Sequence, residues 1–165
     1  MNTRHTLNPG DRFPSLSIPA VDGTTIALPD ALAGHYGVVL VFRGAWCPYC
    51  NAQLRAYERA RDRLDELGAR IVALSADDPD ATRALVEKHR LRFGVGHSAD
   101  VGEVQARLGA FADRDMDHLQ STGFVLDPAG RVVVSVYSSG AIGRLMPDDV
   151  IGLIRHLRDD ASVAA

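Results

Sequence analysis

The chain holds two cysteines among its 165 residues, and both fall in one stretch, Cys47-Pro48-Tyr49-Cys50. That stretch lies where the hydrophobic pattern changes period. Before it, Gly37 to Arg43 reads GVVLVFR, a short β-branched run suited to a buried strand of a parallel or mixed sheet. After it, Leu54, Tyr57, Ala60, Leu64 and Leu67 recur at helical spacing, while Arg55, Glu58, Arg59, Asp62, Arg63 and Glu66 fill the opposite side. Gly68 closes that helix. A buried strand must therefore feed through Cys-x-x-Cys directly into an amphipathic helix. Pro48 suits the first helical position, because its missing N–H has no intrahelical partner there, and this makes Cys47 the N-cap.

The chemistry follows from that placement. Unpaired N–H groups and the positive end of the helix dipole stabilise a thiolate, which is the nucleophilic form of cysteine, so the Cys47 pKa is expected to be depressed. Cys50 falls on the buried stripe and is expected to be shielded, as suits a thiol that resolves an adduct formed by its neighbour. A disulfide closing so short a loop removes little unfolded-state entropy, so the pair is expected to serve redox chemistry rather than to staple the fold. A zinc site would need two further ligands, and His5, His35, His89, His97, His118 and His156 show no paired metal spacing. No metal and no cofactor is expected. Asp113, Asp115 and Asp117 resemble the start of a calcium loop, but His118 and Phe124 stand where that loop needs Gly and Glu.

Other segments read as follows. Ser15 to Pro19 and Thr24 to Leu28, around Val21-Asp22-Gly23, predict a β-hairpin at the domain's edge. Arg70 to Ser75 predicts a second buried strand, and Asp78-Pro79 opens a helix to about Arg90. A short strand at Val95 to Ser98 leads to Asp100, which with Glu103 resembles a capping box for a helix through Leu108. Ala110 to Gln120 carries no clear period. Gly123 to Asp127 and Arg131 to Tyr137, joined by Asp127-Pro128-Ala129-Gly130, predict an antiparallel hairpin. Pro147 to Arg158 predicts a last helix, with 159–165 as a frayed tail. The charges following Cys50, such as Arg59 with Asp62 and Arg63 with Glu66, are expected to form a solvated face. No linker or repeat interrupts this series, so one domain over 1–165 is expected.

Composition bears on partners. A net charge of −3 from 18 basic and 21 acidic residues, with no consecutive basic block, offers no footprint for a phosphate backbone, and no nucleic-acid partner is expected. The longest apolar run, Val38 to Phe42, is far below the roughly 20 residues of a membrane span, so no membrane partner is expected. The segment Met1 to Pro14 lacks the apolar stretch of a secretory signal, and a cytoplasmic location is expected.

The order of elements, a strand, Trp-Cys-x-x-Cys, a helix, then βα, a hairpin and a closing helix, resembles the α/β thioredoxin-like fold. That fold implies a central mixed β-sheet flanked by helices, here with an N-terminal β-hairpin. Pro9-Gly10-Asp11 with Phe13-Pro14, the Asp22-Gly23 turn, Val41 through Cys50 and Phe124 through Gly130 narrow the resemblance. Over nearly its whole length the chain resembles a peroxiredoxin-like protein of the alkyl hydroperoxide reductase/thiol-specific antioxidant family. The resemblance implies a thiol-dependent oxidoreductase cycling a Cys47/Cys50 dithiol, with disulfides as the expected main substrate and hydroperoxides second. Its implied partner is an external thiol reductant, a thioredoxin-like protein or a low-molecular-weight thiol.

The chain departs from that family at specific places. In typical members the peroxidatic Cys is preceded by a Thr or Ser and a Pro, and is helped by a distant Arg. Counting back from Cys50, those places hold Cys47 and Arg43, and Ser121 stands where the Arg is usual. Without those donors to polarise a peroxide bond, efficient peroxide reduction is expected either to rest on groups elsewhere in the chain or to be absent. Two alternatives stay open: a peroxiredoxin proper, with Cys50 peroxidatic and Cys47 resolving, and a non-enzymatic redox sensor. Arg43 is expected either to lower a thiol pKa or to cap a strand end. Trp46 flanks Cys47 and offers a flat face, Tyr49 lies between the two cysteines, and His118, Ser121 and Thr122 form a candidate substrate-side loop.

Overall fold

A computed structural model describes residues 4–164. Its centre is a five-stranded sheet in the order β5-β4-β3-β6-β7, formed by β3 (Tyr36–Val41), β4 (Ala69–Leu74), β5 (Gly94–Gly96), β6 (Thr122–Leu126) and β7 (Val132–Tyr137). Strands β3, β4 and β5 run parallel, whereas β6 and β7 are antiparallel, so the sheet is mixed. The N-terminal hairpin is β1 (Leu16–Pro19) and β2 (Thr25–Leu28), tied to the edge of the large sheet by a bridge between Ala20 and Gly96. Among the described residues four α-helices accompany the strands: α1 (Pro48–Glu66), α2 (Pro79–His89), α3 (Val101–Leu108) and α4 (Pro147–Ala164). Among the described residues, no helix is long and apolar enough to cross a membrane.

Alternation along the strands builds a core on each face of the sheet. Val39, Val41, Val72, Leu74, Phe124 and Leu126 pack on the side of α3 and the hairpin. Val38, Leu40, Ile71, Ala73 and Val125 face the other way, against Leu54, Tyr57 and Leu64 of α1 and Val150, Ile151 and Ile154 of α4. Because β3 is buried on both faces, its apolar pattern is continuous rather than alternating.

The local signals for helix ends act as their chemistry dictates. The Cys47 side chain accepts from the Cys50 N–H, Asp78 from Ala81 and Asp100 from Glu103. Glu103 does not complete the capping box in the expected way, since its carboxylate pairs with Arg107 one turn later at 3.1 Å. Helix α4 continues to Ala164, so the tail expected beyond Arg158 is instead helical through that residue, and Ala165 lies outside the described residues. The charged face of α1 is solvated, as expected, but its ion pairs are not the ones the spacing suggested. Arg61 pairs with Glu58 and Asp65, and Arg63 reaches across to Asp148 of α4.

Gly123 in β6 fixes how closely the chain before α4 approaches the sheet. A Cβ there would lie 2.8 Å from the Cβ of the buried Leu145. Gly123→Ala is therefore expected to destabilise the protein by about 1–3 kcal/mol. Urea denaturation at constant m-value checks this, and an unchanged midpoint would show that Leu145 moves freely.

Candidate active site

Strand β3 ends at Val41, and the following turn carries Arg43, Gly44, Ala45 and Trp46 to the start of α1. Asp77, just beyond β4, pins that turn by accepting the Ala45 N–H at 2.8 Å and the Ser75 hydroxyl at 3.0 Å. The Asn51 amide, one turn into α1, donates to the carbonyls of Ala45 and Cys47, both at 2.8 Å, and its oxygen meets His89 Nε2. The backbone around Cys47 is thus tied to the chain after β4 and to the end of α2.

Both thiols are free and buried, Cys47 at 0% and Cys50 at 1% exposure. The sequence reading expected Cys50 to be shielded; Cys47 is as well. The large side chains near it that reach outward are Trp46 at 56% and Tyr49 at 53% exposure.

Cys47 Sγ accepts the Cys50 N–H at 3.4 Å, the orphan donor of the helix start. Arg43 Nη1 and Arg144 Nη2 each lie 3.7 Å from the same sulfur. Cys50 Sγ accepts the backbone N–H of Arg43 at 3.2 Å and lies 3.3 Å from Arg144 Nη2. Burial by itself pushes the Cys47 thiol up, but the hydrogen bonds from the Cys50 side chain and N–H, the Arg43 contact and the Arg144 charge outweigh it and hold the pKa below the ordinary thiol value. For Cys50 the balance reverses. Burial and the hydrogen bond with Cys47 push its thiol up, against the Gly44 and Arg43 backbone and the Arg144 charge. Of the two, Cys47 is the more acidic thiol.

Arg144 is the residue the sequence reading missed. It lies in the loop between β7 and α4, 97 residues from Cys47 in sequence, and supplies the distant guanidinium absent at Ser121. Its aim is fixed by Nη1 donating to Gln53 Oε1 at 2.8 Å and Nε donating to the Ala141 carbonyl at 2.8 Å. The next residue is anchored as well, because the Leu145 carbonyl accepts from Gln53 Nε2 and Tyr57 Oη, both at 2.9 Å. Burial, with the Asp149 charge, pushes the Tyr57 pKa up, so it stays a neutral donor. No local pattern marks Arg144 as special. The available signals were polar residues, Gln53 and Tyr57, on the apolar stripe of α1.

Arg43 points inward rather than capping a strand end, with Nε donating to Gln120 Oε1 at 2.9 Å and the Trp46 ring 4.9 Å from its Cζ. His118 meets Trp46 edge-on at 5.0 Å between ring centroids, and its Nδ1 lies 3.7 Å from Asp113. Ser121 and Thr122 are buried and serve the backbone: the Ser121 carbonyl accepts the Ser138 N–H, and the Thr122 hydroxyl donates to the Gln120 carbonyl. Pro48 is the first residue of α1. Among the described residues, no third His, Cys, Asp or Glu joins the two sulfurs in a metal-binding cluster. The carboxylates of Asp113, Asp115 and Asp117 gather elsewhere, where Asp113 accepts the N–H groups of Asp115, Asp117 and His118. What remains at the motif is a dithiol with one activated sulfur, flanked by two guanidinium groups.

A sequence model described as the AhpC/TSA family matches residues 9–135. A protein named peroxiredoxin from Thermotoga petrophila is 26% identical over 162 residues, spanning 94% of this chain and 74% of that one. The solved structure of the peroxidoxin BcpB from Mycobacterium tuberculosis superposes with a TM-score of 0.80 at 20% identity, covering 91% of this chain and 97% of that one. AhpC of Enterococcus faecalis superposes at 0.82 with 13% identity, covering 98% of each chain. These structures share the thioredoxin-like fold.

Proposed function

The chain belongs to the AhpC/TSA family and is a thiol-dependent oxidoreductase of the peroxiredoxin kind, and we propose that Cys47 is its nucleophile and Cys50 its resolving thiol. One observation carries this reading: the Cys50 N–H and two guanidinium groups converge on Cys47 Sγ and lower its pKa, while burial pushes that of the neighbouring Cys50 up. The Cys47 thiolate attacks the outer oxygen of a hydroperoxide and the O–O bond breaks. With one proton taken up, the products are a Cys47 sulfenic acid and an alcohol or water. Arg43 and Arg144 are placed to stabilise the negative charge developing on the departing oxygen. The Cys50 thiol then attacks the sulfenic sulfur, releasing water and closing the Cys47–Cys50 disulfide. An external dithiol donates two electrons and two protons to restore both thiols and leaves as its own disulfide. With a disulfide as substrate, the same thiolate forms a mixed disulfide that Cys50 resolves. The need for a dithiol reset suits a reducing compartment such as the cytoplasm.

A second reading, with Cys50 as the first nucleophile, draws on its shorter contacts to the Arg43 N–H and Arg144. Its raised pKa weighs against it. Steady-state assays with hydrogen peroxide, an organic hydroperoxide and a protein disulfide, each recycled by a thioredoxin-like dithiol, test the proposal. Many turnovers are expected with at least one substrate. A single oxidation event with no turnover would make the protein a redox sensor instead.

A further inference from the structure

We propose that Gln120 is a positioning residue for the reactive thiol: a buried, neutral acceptor that aims the Arg43 guanidinium at Cys47 without cancelling its charge. The proposal deepens the reading of Cys47 as the nucleophile and rests on it. The sheet itself brings the pair together. In the antiparallel β3–β6 register Val41 lies opposite Thr122, so extending both chains outward by one same-face step sets Arg43 opposite Gln120. The bond between them spans 77 residues of sequence.

Arg43 has a long stem and needs something to hold its plane. Its separation of 3.7 Å from Cys47 Sγ is electrostatic contact rather than a tight bond, whereas Nε to Gln120 Oε1 at 2.9 Å is a full hydrogen bond. Because the guanidinium is rigid, fixing the Nε–H direction fixes both terminal nitrogens. Gln120 in turn is held: it is 9% exposed, its N–H donates to the Phe111 carbonyl at 2.7 Å, and its carbonyl accepts the Thr122 hydroxyl at 3.1 Å.

The residue type matters as much as the placement. A glutamate here would accept the same hydrogen bond, but it would form an ion pair with Arg43 and set a second negative charge near the thiolate. An amide orients the cation and leaves its field directed at sulfur. Gln53 stands in the same relation to Arg144, likewise a buried neutral acceptor, 3% exposed.

The test uses the Cys50→Ser background, in which Cys47 is the single thiol and the pH midpoint of iodoacetamide alkylation reads its pKa. Gln120→Glu, nearly isosteric, is expected to raise that midpoint by about one pH unit, at least as far as Arg43→Ala does. Gln120→Ala is expected to raise it as well, but to add nothing once Arg43 is already alanine, since the glutamine acts through the arginine. Thermal unfolding confirms that each variant is folded. A wild-type midpoint in Gln120→Glu, or an equal effect of Gln120→Ala with and without Arg43, would overturn the proposal. Alkylation needs no substrate, so a failure of the turnover assay is distinguishable from a failure of this one.

Discussion

Treated with one equivalent of hydroperoxide, Cys50→Ser is expected to accumulate a sulfenic acid on Cys47, whereas Cys47→Ser is expected to lose turnover by orders of magnitude. The asymmetry follows from where the proton sits. Cys47 is held below the ordinary thiol pKa and Cys50 above it, so near neutral pH the population carrying one negative charge carries it on Cys47. With Cys50 removed, the first half-reaction still proceeds and nothing resolves its product. With Cys47 removed, burial still pushes the pKa of the remaining thiol up, and no other cysteine exists to replace Cys47. The sign for pH is set as well: a depressed pKa keeps the first step fast down to lower pH than for a free thiol, and the rate falls as Cys47 becomes protonated. Trapping the sulfenic acid with a dimedone probe and locating it by mass spectrometry reads the outcome. A wild-type first step in Cys47→Ser, with the label on Cys50, would reverse the two roles.

Removing Arg144 is the second large expected effect. It is the only side chain among the described residues whose guanidinium lies within hydrogen-bonding distance of both sulfurs. Arg144→Ala takes away a fixed positive charge from a buried site, where preorganised donors count most, and is expected to slow oxidation of Cys47 by about 10²–10³-fold. The loss should appear in rate rather than stability, because the Leu145 carbonyl keeps its bonds from Gln53 and Tyr57 and holds the loop in place. Arg144→Lys is expected to recover only part of the rate, since an ammonium cannot satisfy Gln53, the Ala141 carbonyl and the sulfurs together as the planar fork does. Stopped-flow oxidation of the reduced variants is the measurement. A rate within a few-fold of wild type in Arg144→Ala would remove this residue from the mechanism.

The elements readable in the chain were those whose signals are local. Cys47, Asp78 and Asp100 act as N-caps because capping joins residues within one turn, and the buried stripe of α1 follows from helical period alone. Boundaries set by distant packing were less legible. Helix α4 runs on beyond Arg158, where the sequence reading ends it, and Arg63 finds its partner on another helix rather than at Glu66. At the candidate substrate-side loop, the Thr122 hydroxyl satisfies the Gln120 carbonyl, a pairing that residue type alone does not reveal.

By itself the sequence determined that a dithiol would stand at a helix start, with the first sulfur at the N-cap and the second on the buried stripe, because spacing, a proline at the first helical position and hydrophobic period act within a single element. Only the tertiary structure decided which charges surround those sulfurs. Arg144, Gln53 and Gln120 reach the site because sheet register and a loop anchored on α1 bring together residues far apart in the chain. An arginine's field depends on distance and orientation, and neither is written in residue spacing once the chain has turned back on itself.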